Sequence, residues 1–336
     1  MFRPTSDSPA RRPDLGAIAY EAMSNAGAQG FIADQVMPRF SVSLQTSGFP
    51  VIPKEALFNV YDTKRQSTGR YNSYDGEFER GYYETQDHGL EERKDDRDVK
   101  IYQSEFDYER VIATRLTNNI LRAREYRVAA LALSTSTWTA VNASVAWSTI
   151  ATATPVTDIE LAKETMRKKG IPANCVIIPA PIYYYLKQTT DIINRVTNIF
   201  PDVAKSGNIG MEHVRAAFDI DYLLVPGALM NTANTGLAAS LSDIWGSRYV
   251  QVCRIATGAE SDVIEPCIGR QLVWNDGGGS MDDIVEEYYD PSRRSWMLRV
   301  RHDSVEKLIV SYDEDGSVKS NISESAGYLL DATAAT

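Results

Sequence analysis

Between residues 104 and 134 the apolar positions recur at helical spacing. Tyr108, Val111, Ile112, Leu116, Ile120 and Ala123 fall on one stripe, with Asn118, Arg122 and Arg124 around it. No proline or glycine interrupts the stretch, which predicts one long helix. A second set of elements begins at Pro155, where Thr157 is placed to cap a helix running to Lys169 and Gly170 to end it. Residues 174–178 then read as a short buried strand, Pro181 opens a helix to about Lys187, residues 211–218 form another, and 222–225 are a further apolar strand. Residues 249–255 alternate, and 284–289, 295–301 and 307–311 extend a strand-rich ending. Helices and strands arranged in this way predict an α+β fold.

The first hundred residues have a different character. Residues 1–48 mix Pro, Gly, Ser and Ala with one short helix candidate at 15–25, which reads as an arm with little core of its own. Phe31, Ile32, Val36, Met37 and Phe40 form an apolar patch interrupted by Pro38, suited to docking an extended segment onto a body elsewhere. Pro50 and Pro53 open residues 49–102, glycines 69, 76, 81 and 89 punctuate them, and Tyr61, Tyr71, Tyr74, Tyr82 and Tyr83 find few aliphatic partners nearby. Aromatic strands with glycine turns and no self-sufficient core predict a long protruding hairpin, a kind of loop uncommon in compact domains unless it binds something. Further on, residues 134–154 are dense in Ser, Thr and Ala, with Trp138 and Trp147 as the anchors.

Charge narrows the classes of partner. A chain of 336 residues with a formal net charge of -10 repels phosphate backbones on average, so counterion release cannot drive tight nucleic-acid binding. The first 15 residues carry three prolines and mixed charges, unlike a secretory signal, and the apolar run at 222–230 is broken by Pro226 and Gly227 well short of a membrane span. Cys175, Cys253 and Cys267 are odd in number and in no CxxC spacing, which fits reduced, buried thiols rather than a disulfide framework.

Candidate chemistry is sparse. His88, His213 and His302 lie far apart, with no HExxH and no paired Cys/His spacing, so no metal ligand set is assigned. There is no GxSxG elbow, no GxxxxGK[ST] loop and no GxGxxG turn, and Gly277, Gly278 and Gly279 read as a flexible turn. The acids of the 84–98 stretch, Glu84, Asp87, Glu91, Glu92, Asp95, Asp96 and Asp98, outnumber Arg93, Lys94 and Arg97 and invite a catalytic reading, but they match no ligand or calcium-loop spacing. They are expected to form a solvated charged turn or a subunit contact. No catalytic residue, cofactor or metal is assigned, and the chain is not expected to be an enzyme.

The order of elements resembles the major capsid proteins of tailed double-stranded DNA phages, the family with the Hong Kong 97 capsid fold. An arm carrying residues 31–40, a long hairpin at 49–102 and an unbroken helix at 104–134 are similar to that family's N-arm, E-loop and spine helix. The helix at 156–169, the phrase Asn174-Cys-Val-Ile-Ile-Pro179 and the short helix at 183–186 resemble its axial domain, and Asp243-Ile-Trp-Gly-Ser-Arg-Tyr249 its central strand region. Met297-Leu-Arg-Val-Arg-His302, Lys307-Leu-Ile-Val310 and Ala326-Gly-Tyr-Leu-Leu330 are similar to return strands of its peripheral domain closing into the axial one.

The resemblance implies a division into arm 1–48, E-loop hairpin 49–102, spine helix and peripheral domain 103–155, axial domain 156–278, peripheral return strands 279–312, and axial C-terminal strand with tail 313–336. It implies a shell subunit that partners itself in pentamers and hexamers around packaged double-stranded DNA, without sequence-specific binding and without a membrane. Such a chain is located in the virion capsid after assembly in the host cytoplasm. Portal and decoration proteins are possible partners, and with too few residues before Phe31 for a built-in scaffolding domain, any scaffold is expected to be a separate protein. Contacts between subunits are expected at Phe31 and Phe40 on the arm, at Arg65, Arg70, Tyr74, Glu77, Arg80, Tyr82 and Glu84 on the hairpin, and at Glu91, Arg93 and Asp95 beyond it. The alternatives are an encapsulin-like nanocompartment shell and, in a different class, a carboxylate-dependent hydrolase using the acids of 84–98.

Overall fold

A computed structural model describes residues 10–11, 30–51, 59–65, 67, 69–73, 79–95, 97, 99, 101, 107–202, 208–257, 267–275, 284–293, 295–309 and 326–335. The arm supplies a two-residue strand β1 (Ala10–Arg11), one helical turn α1 (Ala33–Val36) and strand β2 (Arg39–Val42). The helix candidate at 15–25 and the glycine turn at 277–279 lie outside the described residues. Strands β3 (Thr46–Val51) and β4 (Glu79–Glu84) pair antiparallel, from Thr46 opposite Glu84 to Val51 opposite Glu79, and form the base of a hairpin. Strand β5 (Gln86–Lys94) follows after Thr85.

The unbroken stripe folds as helix α2 (Tyr108–Ala132), which starts where the Asp107 carboxylate accepts the Arg110 amide at 3.2 Å. Its buried positions come as adjacent pairs every fourth residue: Ile112 and Ala113, Leu116 and Thr117, Ile120 and Leu121, Arg124 and Glu125, Val128 and Ala129. Val111 and Ala123, expected on the stripe, are exposed, because the surfaces beneath cover two neighbouring positions per turn on the other side of it. Tyr108, Ile112, Ala113, Leu116 and Ile120 pack on Val285, Leu298 and Val300, while Leu121, Val128, Ala129 and Ala132 pack on the arm and on a second sheet. Each fully buried Ile or Leu in such a position contributes roughly 1.5–3 kcal/mol.

Beyond α2 come β6 (Val141–Ala143), α3 (Pro155–Lys168), β7 (Cys175–Ile177), α4 (Ala180–Leu186), α5 (Thr190–Ile199), α6 (Met211–Phe218), β8 (Tyr222–Leu224), β9 (Leu229–Asn231), β10 (Leu241–Asp243) and β11 (Tyr249–Cys253). The chain ends with β12 (Gly269–Trp274), β13 (Ile284–Asp290), β14 (Ser295–Leu308) and β15 (Gly327–Ala335). One sheet is organised on β14. Strand β5 lines one edge, from Trp296 opposite Lys94 to Ser304 opposite Gln86, and β13 then β12 line the other, with β1 beyond β13 and β2 running parallel to β12. The other sheet runs β6-β15-β11-β7-β8, and its core gathers Trp147, Ile159, Met166, Ile192, Val196 and Phe218 from the connection and helices α3, α5 and α6. Trp138 and Trp147 are both buried, and the Trp147 indole donates to Asp158 Oδ2 at 2.9 Å. Among the described residues no helix is long and apolar enough to cross a membrane.

Three local expectations change. The cap residue of α3 is Thr154, not Thr157, and the amide of Val156 is satisfied by Asp191 Oδ2 at 3.0 Å from the first turn of α5, so a tertiary contact replaces a local cap. Helix α5 is not among the expected elements, although Ile192, Ile193, Val196 and Ile199 fall at helical spacing; Ile192 and Val196 are its buried positions. The two strands expected at 295–301 and 307–311 are one strand through Leu308, with residues 310 and 311 outside the described residues. His302, Ser304 and Glu306 are its buried positions there, so the alternation continues while polarity conceals it.

Two glycines let the arm meet the body. Gly30 has φ +77° and its α-carbon lies where a methyl would come within 2.7 Å of the Gly227 backbone, whereas a methyl on Gly227 would meet only Gly30 Cα at 3.9 Å. Gly227 N donates to Gly30 O at 3.2 Å. Gly30→Ala is therefore expected to destabilise the fold by about 2–3 kcal/mol and Gly227→Ala by less than about 1 kcal/mol, as read by denaturant titration. Equal losses from the two variants would count against this close approach.

Candidate functional site

The regions that set this chain apart are the arm, the hairpin and the charged strand joining them to the body. The arm is held by one buried carboxylate. Glu125 lies on the core face of α2 and is fully buried. Its Oε2 accepts the Ala33 amide at 2.8 Å and its Oε1 the Trp245 indole at 2.5 Å, while the Ile32 amide reaches both oxygens at 3.0 and 3.1 Å. Burial pushes its pKa up, opposed by these N–H donors. Around it Phe31, Ile32, Val36 and Met37 pack on Leu121, Val128, Trp245 and Ile268. Beside it Gln271 Nε2 donates to Met37 O at 2.8 Å and to Asp34 Oδ1 at 3.1 Å, which seats β2 against β12. Steps of four from Ala113 through Thr117 and Leu121, one position beyond the expected stripe, arrive at Glu125, which is the signal that could have singled it out.

The charged run at 84–98 is a strand of the sheet over Gln86–Lys94, correcting the solvated turn expected there. Its charges find partners across strands and on α2. Lys94 is buried between Glu109, at 2.8 Å, and Glu287. Arg115 of α2 forks onto Glu92. Glu91 Oε2 accepts from Tyr288 at 2.9 Å and from Arg299 at 3.2 Å. Cross-strand pairing of opposite charges explains why so dense a run adopts a regular element. In the same sheet His88 faces His302 across the β5–β14 register, ring centroids 5.5 Å apart. His302 Nε2 meets Arg127 Nη2 at 3.4 Å, and Arg127 also forks onto Glu306 at 2.9 Å. Burial, then the charges of Arg124 and Arg127, drive the His302 pKa down to about 2.

The hairpin has the opposite character. Beyond β3 and β4 the described segments 59–65 and 69–73 are held by local contacts: Arg65 Nε donates to Gly69 O at 2.8 Å, its guanidinium sits over the Tyr71 ring at 4.6 Å, and Asn72 Nδ2 donates to Asp62 O at 2.7 Å. Val60 is 98 % exposed and Tyr71 75 %. At the base, Tyr83 is buried with Val42 and Leu272, and an apolar groove of about 380 Å³ opens between Phe40, Phe49, Tyr83 and Leu272.

The residues expected at subunit contacts thus separate. Arg65, Arg70, Arg80, Tyr82, Glu84, Glu91 and Arg93 are exposed, Asp95 is half-buried, and Phe40 lines the groove. Phe31 is buried in the core of its own subunit, where it helps to hold the arm. Tyr74 and Glu77 lie outside the described residues. Among the described residues no group of three His, Cys, Asp or Glu converges as a metal site.

No protein-family model matches the chain, and no curated protein does. Solved structures do. A phage-related protein from Bordetella bronchiseptica RB50 is 20% identical with a TM-score of 0.67, over 97% of this chain and 98% of that one. A virus-like particle from Pyrococcus furiosus is 12% identical with a TM-score of 0.52, over 95% and 98%. The capsid structure of cyanophage P-SCSP1u is 13% identical with a TM-score of 0.52, over 90% and 87%. These likenesses run over nearly the whole chain and show its fold: the mixed α+β architecture of the Hong Kong 97-type phage capsid structures that the element order resembles.

Proposed function

We propose that this chain is the structural subunit of a phage capsid, a protein that self-assembles into the closed shell enclosing double-stranded DNA. The observation that carries the reading is the hairpin. The chain packs residues 31–37 of its arm into its own core, yet in the described part of the hairpin the large side chains of Val60, Tyr61 and Tyr71 are exposed, and the contacts of Arg65 and Asn72 are local. Aromatic residues on such a projection suit a protein partner, and in a fold shared with capsid structures the partner is a second copy. Many weak contacts of this kind add to a cooperative shell while leaving each one reversible. The work of the chain is association rather than turnover. Residues 49–102 act as the reaching loop, with Arg65, Arg70, Tyr74, Glu77, Arg80, Tyr82 and Glu84 along it, and Phe40, Glu91, Arg93 and Asp95 line its base. Assembly takes place in the host cytoplasm with a separate scaffold and a portal, and the product is the virion shell.

The test is expression of the full chain, alone and with its neighbouring genes, followed by size exclusion and negative-stain microscopy. Rings of five and six subunits or closed shells are expected. A monomer at every salt and concentration, with the neighbouring genes present, defeats the proposal, and a shell that encloses a co-expressed enzyme and never DNA replaces it with a nanocompartment. A second variant separates folding from assembly: replacing residues 52–78 by a short Gly/Ser turn keeps β3, β4 and the buried Tyr83. Its melting temperature is expected within a few degrees of the parent while shell yield falls at least about tenfold, the equivalent of about 1.4 kcal/mol. Normal yield from this variant removes the hairpin from the assembly surface.

A further inference from the structure

Cys175 and Cys253 are 78 positions apart in sequence and share no motif, yet the antiparallel register of β7 and β11 sets them directly opposite one another. Residues so placed have α-carbons about 4.5–5.5 Å apart, inside the span that a disulfide requires. Both side chains are fully buried and point into the same core cluster, beside Ile177 and Leu329. Directly opposite residues of an antiparallel pair project to the same face of the sheet, so the two thiols lie side by side rather than diverge. Cys267 makes a different contact, its Sγ donating to Gly269 O at 3.5 Å.

We infer that Cys175 and Cys253 are a disulfide-forming site, a dithiol that closes into a covalent staple between β7 and β11 when the protein meets a peroxide. The inference goes beyond the assembly reading and does not depend on it. In the first step one thiolate attacks a peroxide oxygen, the O–O bond breaks, and a sulfenic acid and hydroxide result. In the second the facing thiol displaces the hydroxyl, forming the S–S bond and releasing water. Two S–H bonds are lost, and the two electrons reduce the peroxide.

The surroundings set the tempo. Burial, together with the neighbouring thiol, pushes Cys175 well above the ordinary thiol range, so thiolate is scarce and the pair is not a fast sensor. Reaction waits for local opening of β7, which is three residues long. A pair of this kind stays reduced where cellular thiols are plentiful and closes slowly in oxidising surroundings. For a shell protein that sequence of environments is the passage from the cell to the outside, and the staple would lock the axial sheet after assembly is complete.

The experiment uses the purified full-length chain. Samples kept in dithiothreitol and samples incubated with dilute hydrogen peroxide are denatured in an alkylating reagent, and intact mass and peptide mapping count the modified thiols. The reduced protein should alkylate all three cysteines. The oxidised protein should alkylate Cys267 alone and yield one linked peptide pair containing Cys175 and Cys253. Its melting temperature should rise by roughly 5 °C or more, because the staple closes a long loop, and dithiothreitol should reverse the rise. Cys175→Ala and Cys253→Ala should each abolish the shift while Cys267→Ala keeps it. The mapping needs no variant, so a core substitution that fails to fold leaves the result intact. Three alkylated cysteines after oxidation, over-oxidised acids without a link, or a link through Cys267 would each overturn the assignment.

Discussion

Replacing Glu125 by alanine is expected to cost about 3–5 kcal/mol, enough to unfold a domain of ordinary stability at moderate temperature. The carboxylate holds the amides of Ile32 and Ala33 and the indole of Trp245, all in the core, and alanine leaves all three donors without an acceptor while opening a cavity under the arm. A buried donor left unsatisfied costs about 1–3 kcal/mol, so the sum exceeds the release of the carboxylate's own desolvation. Glu125→Gln should be milder, about 1–2 kcal/mol, because its carbonyl oxygen still accepts part of the set although its NH2 faces donors. Denaturant titration gives the stabilities, and hydrogen exchange gives the location: amides 32 and 33 should exchange far faster in the alanine variant. If those amides keep their protection, the arm is held by its apolar contacts and Glu125 is incidental.

Acidification should destabilise the chain through His302. Its ordinary pKa is near 6.5, and the folded state holds it at about 2 because it is buried and faces Arg127, Arg124 and Arg39 as well as His88. A histidine with a depressed folded pKa is neutral in the native state and takes up a proton on unfolding. Its contribution is therefore complete above pH 6.5 and is lost progressively as pH falls toward 2. At about pH 5 the loss is about 2 kcal/mol from this group, at about 1.4 kcal/mol per pH unit below 6.5. His88, which also titrates low through burial and Arg127, adds in the same direction. Glu125 acts oppositely, since its raised pKa favours the protonated native state, so the comparison is best made by difference. Denaturant titrations near pH 7.5 and pH 5 should show the loss in the parent and most of it gone in His302→Gln, whose side-chain oxygen can still accept from Arg127. An unchanged pH dependence in that variant would place the acid sensitivity elsewhere.

What the sequence could reveal depended on whether the physical cause was local. Helix α2 was legible because its stripe, its length and its freedom from proline all lie within one window, and β7, β8, α6 and β11 were legible as short apolar runs with clear ends. The cap of α3 was not, since the group that satisfies Val156 belongs to Asp191, on another helix. Strand β14 looked like two strands because His302, Ser304 and Glu306 occupy inward positions normally given to apolar residues, and the arginines that make this tolerable are on α2. The acidic run at 84–98 read as a turn for the same reason: the partners of Glu91, Glu92 and Lys94 are Arg299 on β14, Arg115 on α2 and Glu287 on β13, all on other elements. The exposure of the hairpin residues among the contact candidates agrees with their composition, whereas the burial of Phe31 follows from a core assembled from several distant segments of the chain.

The parallel pairing of β2 with β12 joins Arg39 to Gln271, and the antiparallel pairing of β5 with β14 joins His88 to His302. During synthesis the arm and the charged strand therefore leave the ribosome more than two hundred residues before their partners exist. At roughly 5–20 residues per second the wait is on the order of 10–50 s, during which Phe31, Phe40 and Val42 have no native surface to cover them. Closing the β14 sheet is thus a post-translational event, with the loop-closure entropy of the longest separations met last. Premature termination anywhere before residue 304 leaves β5 without its full-length edge, and the truncated product is an open strand beside an apolar arm, the kind of edge that recruits other chains indiscriminately. Quality control of this protein is consequently concentrated in its last tenth: only a complete chain can hide its own beginning.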